Sequence, residues 1–120
     1  MLNRGKPMLA LIAFGANLPV EGDAPAATLA KAMAALTAEG LVVQTVSRFY
    51  ATPCFPAGAG PDYVNAAAGI EVPNGMTPAE VLTHLHRIEA RFGRERLQRW
   101  GMRTLDIDLL ALGDSVLPDA

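Results

Sequence analysis

Short apolar segments alternate with amphipathic ones along the first half of the chain. Residues 8–14 are almost entirely apolar, and residues 41–50 are rich in β-branched and aromatic side chains, so both segments predict strands. Between them, apolar residues recur at helical spacing in a segment that starts near Pro25 and stops before Gly40. This pattern predicts a strand, a helix and a second strand.

The second half shows the same alternation with a clearer helix start. Residues 63–72 alternate in the manner of a third strand, and residues 104–112 predict a fourth. Residues 77–80 have the form of a capping box, and the helix that they open ends before Gly93. The order β-α-β-β-α-β predicts one α+β domain over residues 1–120, of the ferredoxin-like class, in which an antiparallel sheet carries both helices on one face.

Composition narrows the class of protein. A chain of 120 residues with 51% hydrophobic residues and a net charge of -2 is typical of one globular domain. Its apolar runs are too short for a membrane span, and the run after Arg4 and Lys6 is short for a secretory signal. The single cysteine, Cys54, cannot form an internal disulfide. We therefore expect a reduced, cytoplasmic protein with no membrane partner.

Basic residues are crowded into one part of the chain. Six of the ten lie within seventeen positions, and all six are arginine, which suits bidentate binding of phosphate. They are Arg87, Arg91, Arg94, Arg96, Arg99 and Arg103. A solvated helix face is the alternative, and it fits the first two, which fall within the second helix. The remaining four predict a phosphate-binding segment.

Asp106 and Asp108 form a candidate metal site. They are two residues apart on the last predicted strand, so their side chains point to the same side while the flanking leucine and isoleucine residues face the core. Mg²⁺ would relieve their repulsion, since it commonly binds one or two carboxylates together with substrate phosphates. Two exposed acids on an edge strand are the alternative. The adjacent arginines favour the metal site, and the combination indicates phosphoryl transfer.

Other chemistry has weaker support in the sequence. Cys54 has no evident base partner, and His84 and His86 are expected on the surface of the second helix. Glu89 lies at the border of that helix's apolar stripe, where an intrahelical pair with an arginine is favoured over a functional role. No phosphate-binding loop of the G-x-x-x-x-G-K-[ST] type is present in the sequence.

Three stretches resemble the 6-hydroxymethyl-7,8-dihydropterin pyrophosphokinases of folate biosynthesis. They are residues 14–18, residues 50–65 and residues 88–110, and the last contains R-x-R-x2-R-W-G-x-R-T-L-D-I-D-L-L from position 94. The resemblance implies a ferredoxin-like α+β fold. It also implies a magnesium-dependent enzyme that transfers pyrophosphate from ATP to the hydroxymethyl oxygen of the pterin and releases AMP.

The resemblance also implies residue roles. Asp106 and Asp108 would hold two Mg²⁺ ions and would be catalytic together with Arg94 and Arg103. The residues that would contact ATP are Glu89, Arg94, Arg96, Arg99, Trp100 and Arg103. Those that would contact the pterin are Thr52, Pro53, Phe55, Tyr63 and Asn65. Asn65 offers a donor and an acceptor to the amide-like edge of a pterin, and Tyr63 offers a flat wall. The segment 93–102 is expected to be mobile and to close over ATP.

The chain departs from the family pattern in several places. Ala16 replaces the usual serine, and Met102 replaces the usual proline. We expect the chain to lack the family's C-terminal segment, which normally brings a histidine, an arginine and an aromatic residue to the site. The alternative function is therefore a truncated homologue that binds nucleotide or has a structural role. Nucleic-acid binding ranks lower because the net charge is negative and only 6% of residues are aromatic. A homodimer is a further expectation, since the core is short.

Overall fold

The computed structural model describes residues 7–54, 58, 60–93 and 104–116. Two helices and six strands form in this part of the chain. They are β1 (Met8–Ala16), α1 (Pro25–Ala38), β2 (Val42–Val46), β3 (Tyr50–Thr52), β4 (Tyr63–Val72), α2 (Pro78–Arg91), β5 (Asp106–Leu112) and β6 (Ser115–Val116).

The strands form one antiparallel sheet in the order β2-β4-β1-β5-β6, and β3 also pairs with β4. One face of the sheet supplies the core: Ile12 and Phe14 of β1 are buried together with Leu29 of α1 and with Leu85 and Ile88 of α2. Both helices therefore cover the same face. This arrangement confirms the predicted ferredoxin-like α+β fold, and it leaves the opposite face of the sheet uncovered by either helix.

The predicted second strand, residues 41–50, is wrong as a single element. The structure divides it into β2 and β3, which both pair with β4. The register of β2 shifts between Val43 and Thr45. Beyond it, Ser47 replaces regular pairing, because its Oγ accepts a hydrogen bond from the amide of Ala67 at 2.9 Å while its own amide donates to the Ala67 carbonyl at 2.8 Å. Composition indicates strand propensity but cannot show such a break.

The start of α2 is the capping box that the sequence predicts. The Thr77 hydroxyl accepts from the amide of Glu80 at 3.1 Å, and the Glu80 carboxylate accepts from the amide of Thr77 at 2.8 Å. These two bonds satisfy backbone donors that have no partner inside the helix. Neither helix in the described part of the chain is long and apolar enough to cross a membrane.

Glu39 joins the two helices. It follows the last residue of α1, and its carboxylate lies 2.7 Å from Nδ1 of His84 and 2.9 Å from Nη1 of Arg87, both on α2. The bond to His84 and then the bond to Arg87 hold the pKa of Glu39 below its ordinary value, although burial acts in the opposite direction. His86 is exposed, as expected, whereas His84 is half-buried in this ion-pair cluster.

Candidate functional site

A row of paired residues crosses four strands on the uncovered face of the sheet. Gly15 of β1 pairs with Asn65 of β4 on one side and with Asp106 of β5 on the other. Asn65 in turn pairs with Tyr50 of β3. Adjacent strands are about 4.8 Å apart, so Asn65 and Asp106 lie roughly 10 Å from each other across Gly15. The row therefore brings an amide and a carboxylate, predicted from distant parts of the chain, to one surface.

Small residues occupy the sheet surface between Asn65 and Asp106. Ala13 lies two residues before Gly15 on β1 and therefore on the same face. It pairs with Ala67 on one side and with Asp108 on the other. A Cβ on Gly15 would lie 3.3 Å from Oδ1 of Asn65 and 3.5 Å from Cδ2 of Tyr63. The first separation is closer than side chains usually allow. Glycine at this position lets the amide and the ring lie over β1, a role that its place in the sequence did not indicate.

Asn65 is oriented by a second strand. Its Nδ2 donates to Oγ1 of Thr52 at 2.9 Å and to the carbonyl of Tyr50 at 3.3 Å. Thr52 also pairs with Tyr63, and exposed Pro53 follows it directly. The predicted pterin residues that the structure describes therefore occupy one neighbourhood. With the amide nitrogen bound within the protein, Oδ1 lies on the side of Gly15.

The two carboxylates have the predicted orientation. Leu105, Ile107 and Leu109 are buried, whereas Asp106 is half-buried and Asp108 is exposed on the opposite side of β5. Among the described residues, no group of three or more His, Cys, Asp or Glu side chains is arranged to hold a metal ion. Two carboxylates fit Mg²⁺ nevertheless, because that ion usually keeps several waters and takes its remaining ligands from substrate phosphates.

Glu89 supports the strand that carries these carboxylates. Its side chain is only 2% exposed, and Oε2 accepts a hydrogen bond from the amide of Ile107 at 2.7 Å. Ile107 lies between the two aspartates, so Glu89 links α2 to the backbone at the centre of the pair. Spacing along the helix indicates only partners within α2, such as an arginine. It could not reveal this contact, because Ile107 belongs to another element.

Asn17 is a second buried polar residue, and no role was predicted for it from the sequence. It follows the end of β1, and its Nδ2 donates to the carbonyl of Pro61 at 3.1 Å and lies 3.5 Å from Sγ of Cys54. A polar residue directly after an apolar strand was the available signal. Its partners lie about 40 positions away in sequence and could not be identified from the pattern.

Several predicted site residues lie outside the described residues. They are Phe55, Arg94, Arg96, Arg99, Trp100 and Arg103. The predicted mobility of residues 93–102 also lies outside them, apart from Gly93, whose carbonyl accepts a hydrogen bond from the Thr104 hydroxyl at 2.9 Å. These expectations stay predictions.

Comparison with known proteins identifies a family. Residues 11–120 match the family described as 7,8-dihydro-6-hydroxymethylpterin-pyrophosphokinase (HPPK). The chain is 43% identical over 108 residues to the 2-amino-4-hydroxy-6-hydroxymethyldihydropteridine pyrophosphokinase of Haemophilus influenzae, covering 90% of this chain and 64% of that protein. It is 36% identical over 109 residues to the protein of the same description from Pseudomonas putida, covering 90% and 85%.

The extent of these similarities differs among relatives. The Synechocystis protein of the same description is 37% identical over 112 residues, which cover 92% of this chain and 54% of that protein. The chain thus spans 64% and 54% of the H. influenzae and Synechocystis relatives. A crystal structure of an unknown protein from Galdieria sulphuraria matches with a TM-score of 0.51 and 21% identity, covering 91% of this chain and 51% of that one. That likeness concerns the fold alone.

Proposed function

Because the chain belongs to the 7,8-dihydro-6-hydroxymethylpterin-pyrophosphokinase family, we propose that it transfers pyrophosphate from ATP to the hydroxymethyl group of 6-hydroxymethyl-7,8-dihydropterin, giving AMP. One observation carries the proposal. The row through Gly15 places Asn65 and Asp106 on one face, about two strand spacings apart. A pterin bound near Asn65 and a phosphate chain bound near Asp106 can therefore contact each other on the sheet surface above Gly15.

The pterin side consists of residues on β3 and β4. Oδ1 of Asn65 would accept a hydrogen bond from the pterin edge, and the half-buried ring of Tyr63 would pack against the ligand's apolar surface. Thr52 keeps the Asn65 amide in place through its 2.9 Å bond, and Pro53 borders the same surface. Phe55 would complete this side, as the resemblance implies.

The phosphate side consists of β5 and the segment before it. Asp106 and Asp108 would hold two Mg²⁺ ions, which when bound neutralise charge on the triphosphate. Glu89 holds the β5 backbone between these two residues through its bond to Ile107. In the family pattern, arginines contact the phosphates and a tryptophan lies beside ATP, and we assign these roles to Arg94, Arg96, Arg99, Trp100 and Arg103. Catalysis would then rest on positioning and charge neutralisation, with no covalent intermediate.

The setting of the reaction is part of the proposal. We assign it to the cytoplasm, where Cys54 would stay reduced; it is free and buried in the structure. Beside Mg²⁺, the two substrates are the ligands proposed, with neither nucleic acid nor membrane as a partner. A single domain carries the site, and a homodimer would enlarge the short core.

An AMP-formation assay on the 120-residue chain with ATP, Mg²⁺ and 6-hydroxymethyl-7,8-dihydropterin tests this function. Turnover should stop when EDTA removes Mg²⁺ and return when the metal is restored. Asp106→Ala should lower kcat at least about a hundredfold, because charge on the transferring group loses its stabilisation. Asp114→Ala, at an exposed acid in the turn after β5, is the matched control and should keep full activity.

Two results would count against the proposal. Equal turnover by Asp106→Ala and the control would remove the metal assignment. Binding of ATP by the unaltered, folded chain without AMP above a no-enzyme background would instead support the alternative of a non-catalytic homologue.

A further inference from the structure

Asn17 lies where β1 meets both ends of the connection between β3 and β4. Its side chain is 1% exposed. Its Nδ2 is 3.1 Å from the carbonyl of Pro61, near the end of the connection, and 3.5 Å from Sγ of Cys54, near its start. Cys54 is also buried. One amide group therefore ties the central strand to two points that are seven residues apart in sequence.

These two points flank the residues assigned to the pterin side. Cys54 follows Thr52 and Pro53, and Pro61 precedes Tyr63. The pairing of Thr52 with Tyr63 fixes the base of the connection within the sheet. The Asn17 amide adds a second attachment, which joins Cys54 and Pro61 of the connection to the end of β1. Loss of the Asn17 side chain would remove both contacts that join this connection to the end of β1 through Asn17.

The chemistry of the contact requires an amide. The Asn17 amide is the buried partner, and its Nδ2 would be costly to leave without an acceptor, while the Pro61 carbonyl loses this hydrogen bond when the amide is removed. A carboxylate of the same shape cannot donate at neutral pH and would place charge beside the carbonyl oxygen. An aliphatic side chain would fill the space without the bond. Shape and hydrogen bonding can therefore be separated by substitution.

We propose that Asn17 is a positioning residue for the pterin substrate, acting through the connection between β3 and β4 and not through contact with the substrate. The proposal rests on the proposed function, because it takes the neighbourhood of Thr52, Tyr63 and Asn65 as the pterin side. It predicts a selective effect: the KM for the pterin changes, while the KM for ATP stays as it is. A residue that served only the stability of the core would not discriminate between the two substrates.

The test compares Asn17→Ala and Asn17→Asp with the unaltered chain. The first removes the side chain, and the second keeps its shape but removes the donor at neutral pH. Val81→Ala is the matched control for a general loss of stability: Val81 is fully buried near the start of α2 and belongs neither to the connection between β3 and β4 nor to the strand that carries Tyr63 and Asn65. If Asn17→Asp does not fold, Asn17→Ala still decides the outcome.

Two measurements are made on each variant. Steady-state AMP formation should show a pterin KM raised about tenfold or more in both Asn17 variants, with the ATP KM within twofold of the unaltered chain. Hydrogen–deuterium exchange should show faster exchange at Cys54 and residues 60–65 in both, with α2 and β5 unchanged. Val81→Ala should show neither selective effect.

The outcomes separate this proposal from the function on which it rests. Equal rises in both KM values, or a pterin KM equal to that of the unaltered chain, would overturn the positioning role. If the unaltered chain forms no AMP, the proposed function fails, and exchange alone then decides whether Asn17 holds the connection. Unchanged exchange in Asn17→Ala would refute that attachment whatever the activity.

Discussion

At the residue scale, the site depends on its polar side chains and also on the lack of a side chain at Gly15 between them. Gly15 separates Asn65 from Asp106 within one row of the sheet. A side chain on Gly15 would crowd Oδ1 of Asn65, 3.3 Å from its Cβ, and the ring of Tyr63, 3.5 Å from it. The polar residues could be predicted from their types and spacing. The need for glycine follows from a contact between two strands that only the pairing shows.

Gly15→Ala should therefore weaken binding of the pterin selectively. The added methyl would sit 3.3 Å from Oδ1 of Asn65 and force the amide to shift, so the pterin KM should rise about tenfold, equivalent to about 1.4 kcal/mol. Steady-state kinetics with each substrate varied in turn provides the measurement. Leu11→Ala, on the same strand and face, is the control and should leave the pterin KM unchanged. A Gly15→Ala enzyme with an unaltered pterin KM would show that the amide does not need this space.

At the element scale, local signals predicted the helices and most strands, and contacts between elements were the part that could not be read from the sequence. The capping box at Thr77 depends only on residues three apart, and it formed as predicted. The break after Val46 depends on Ser47 bonding to Ala67 of β4, and the pairing of Glu89 with β5 depends on a residue beyond the helix. Spacing within one segment carries no information about such partners.

The link between α1 and α2 should make stability depend on pH in a defined direction. The pKa of Glu39 is lowered in the folded chain by His84 and Arg87, so its stabilising contribution is present above the ordinary carboxyl pKa and is lost as pH falls through the folded value. Glu39→Gln should therefore lower the free energy of unfolding by about 1 kcal/mol or less at neutral pH. Urea unfolding across pH 3 to 7 measures this.

The pH dependence of the Glu39→Gln effect tests the lowered pKa of Glu39. The difference between Glu39→Gln and the unaltered chain should shrink towards acidic pH, where both carry a neutral side chain at this position. Thr37→Ala, at an exposed position of α1 two residues before Glu39, should show a difference that does not vary with pH. A Glu39→Gln effect that grew as the pH fell would contradict the lowered pKa.

At the scale of the whole molecule, the alternation of apolar and polar segments was enough to predict the fold class and the covered face, although it missed the division into β2 and β3 and the short strand β6. It was also enough to place both carboxylates of β5 on the opposite face, because strand alternation is a local rule. That the pterin side on β3 and β4 lies beside the phosphate side on β5 could not be predicted from either segment alone. It follows from the antiparallel register that sets β4 and β5 on the two sides of β1.

Ligand binding should stabilise the whole fold if the uncovered face binds nucleotide with metal. Mg²⁺ and ATP at about a hundred times their Kd should add about 2.7 kcal/mol to the free energy of unfolding, since they bind the folded chain only. Differential scanning calorimetry should show a higher Tm with both present and no such rise with ATP and EDTA. The same rise in Asp106→Ala and in the unaltered chain would contradict nucleotide binding at β5.

The central claim is that one face of the sheet holds two substrates at opposite ends of a single row, and comparison of Asn65→Ala with Asp106→Asn tests it most directly. In AMP formation, Asn65→Ala should raise the pterin KM at least about tenfold and leave the ATP KM within twofold. Asp106→Asn should instead lower kcat about a hundredfold and raise the Mg²⁺ concentration needed for half-maximal rate. Identical effects of the two substitutions on both substrates, or full activity in both, would contradict the account.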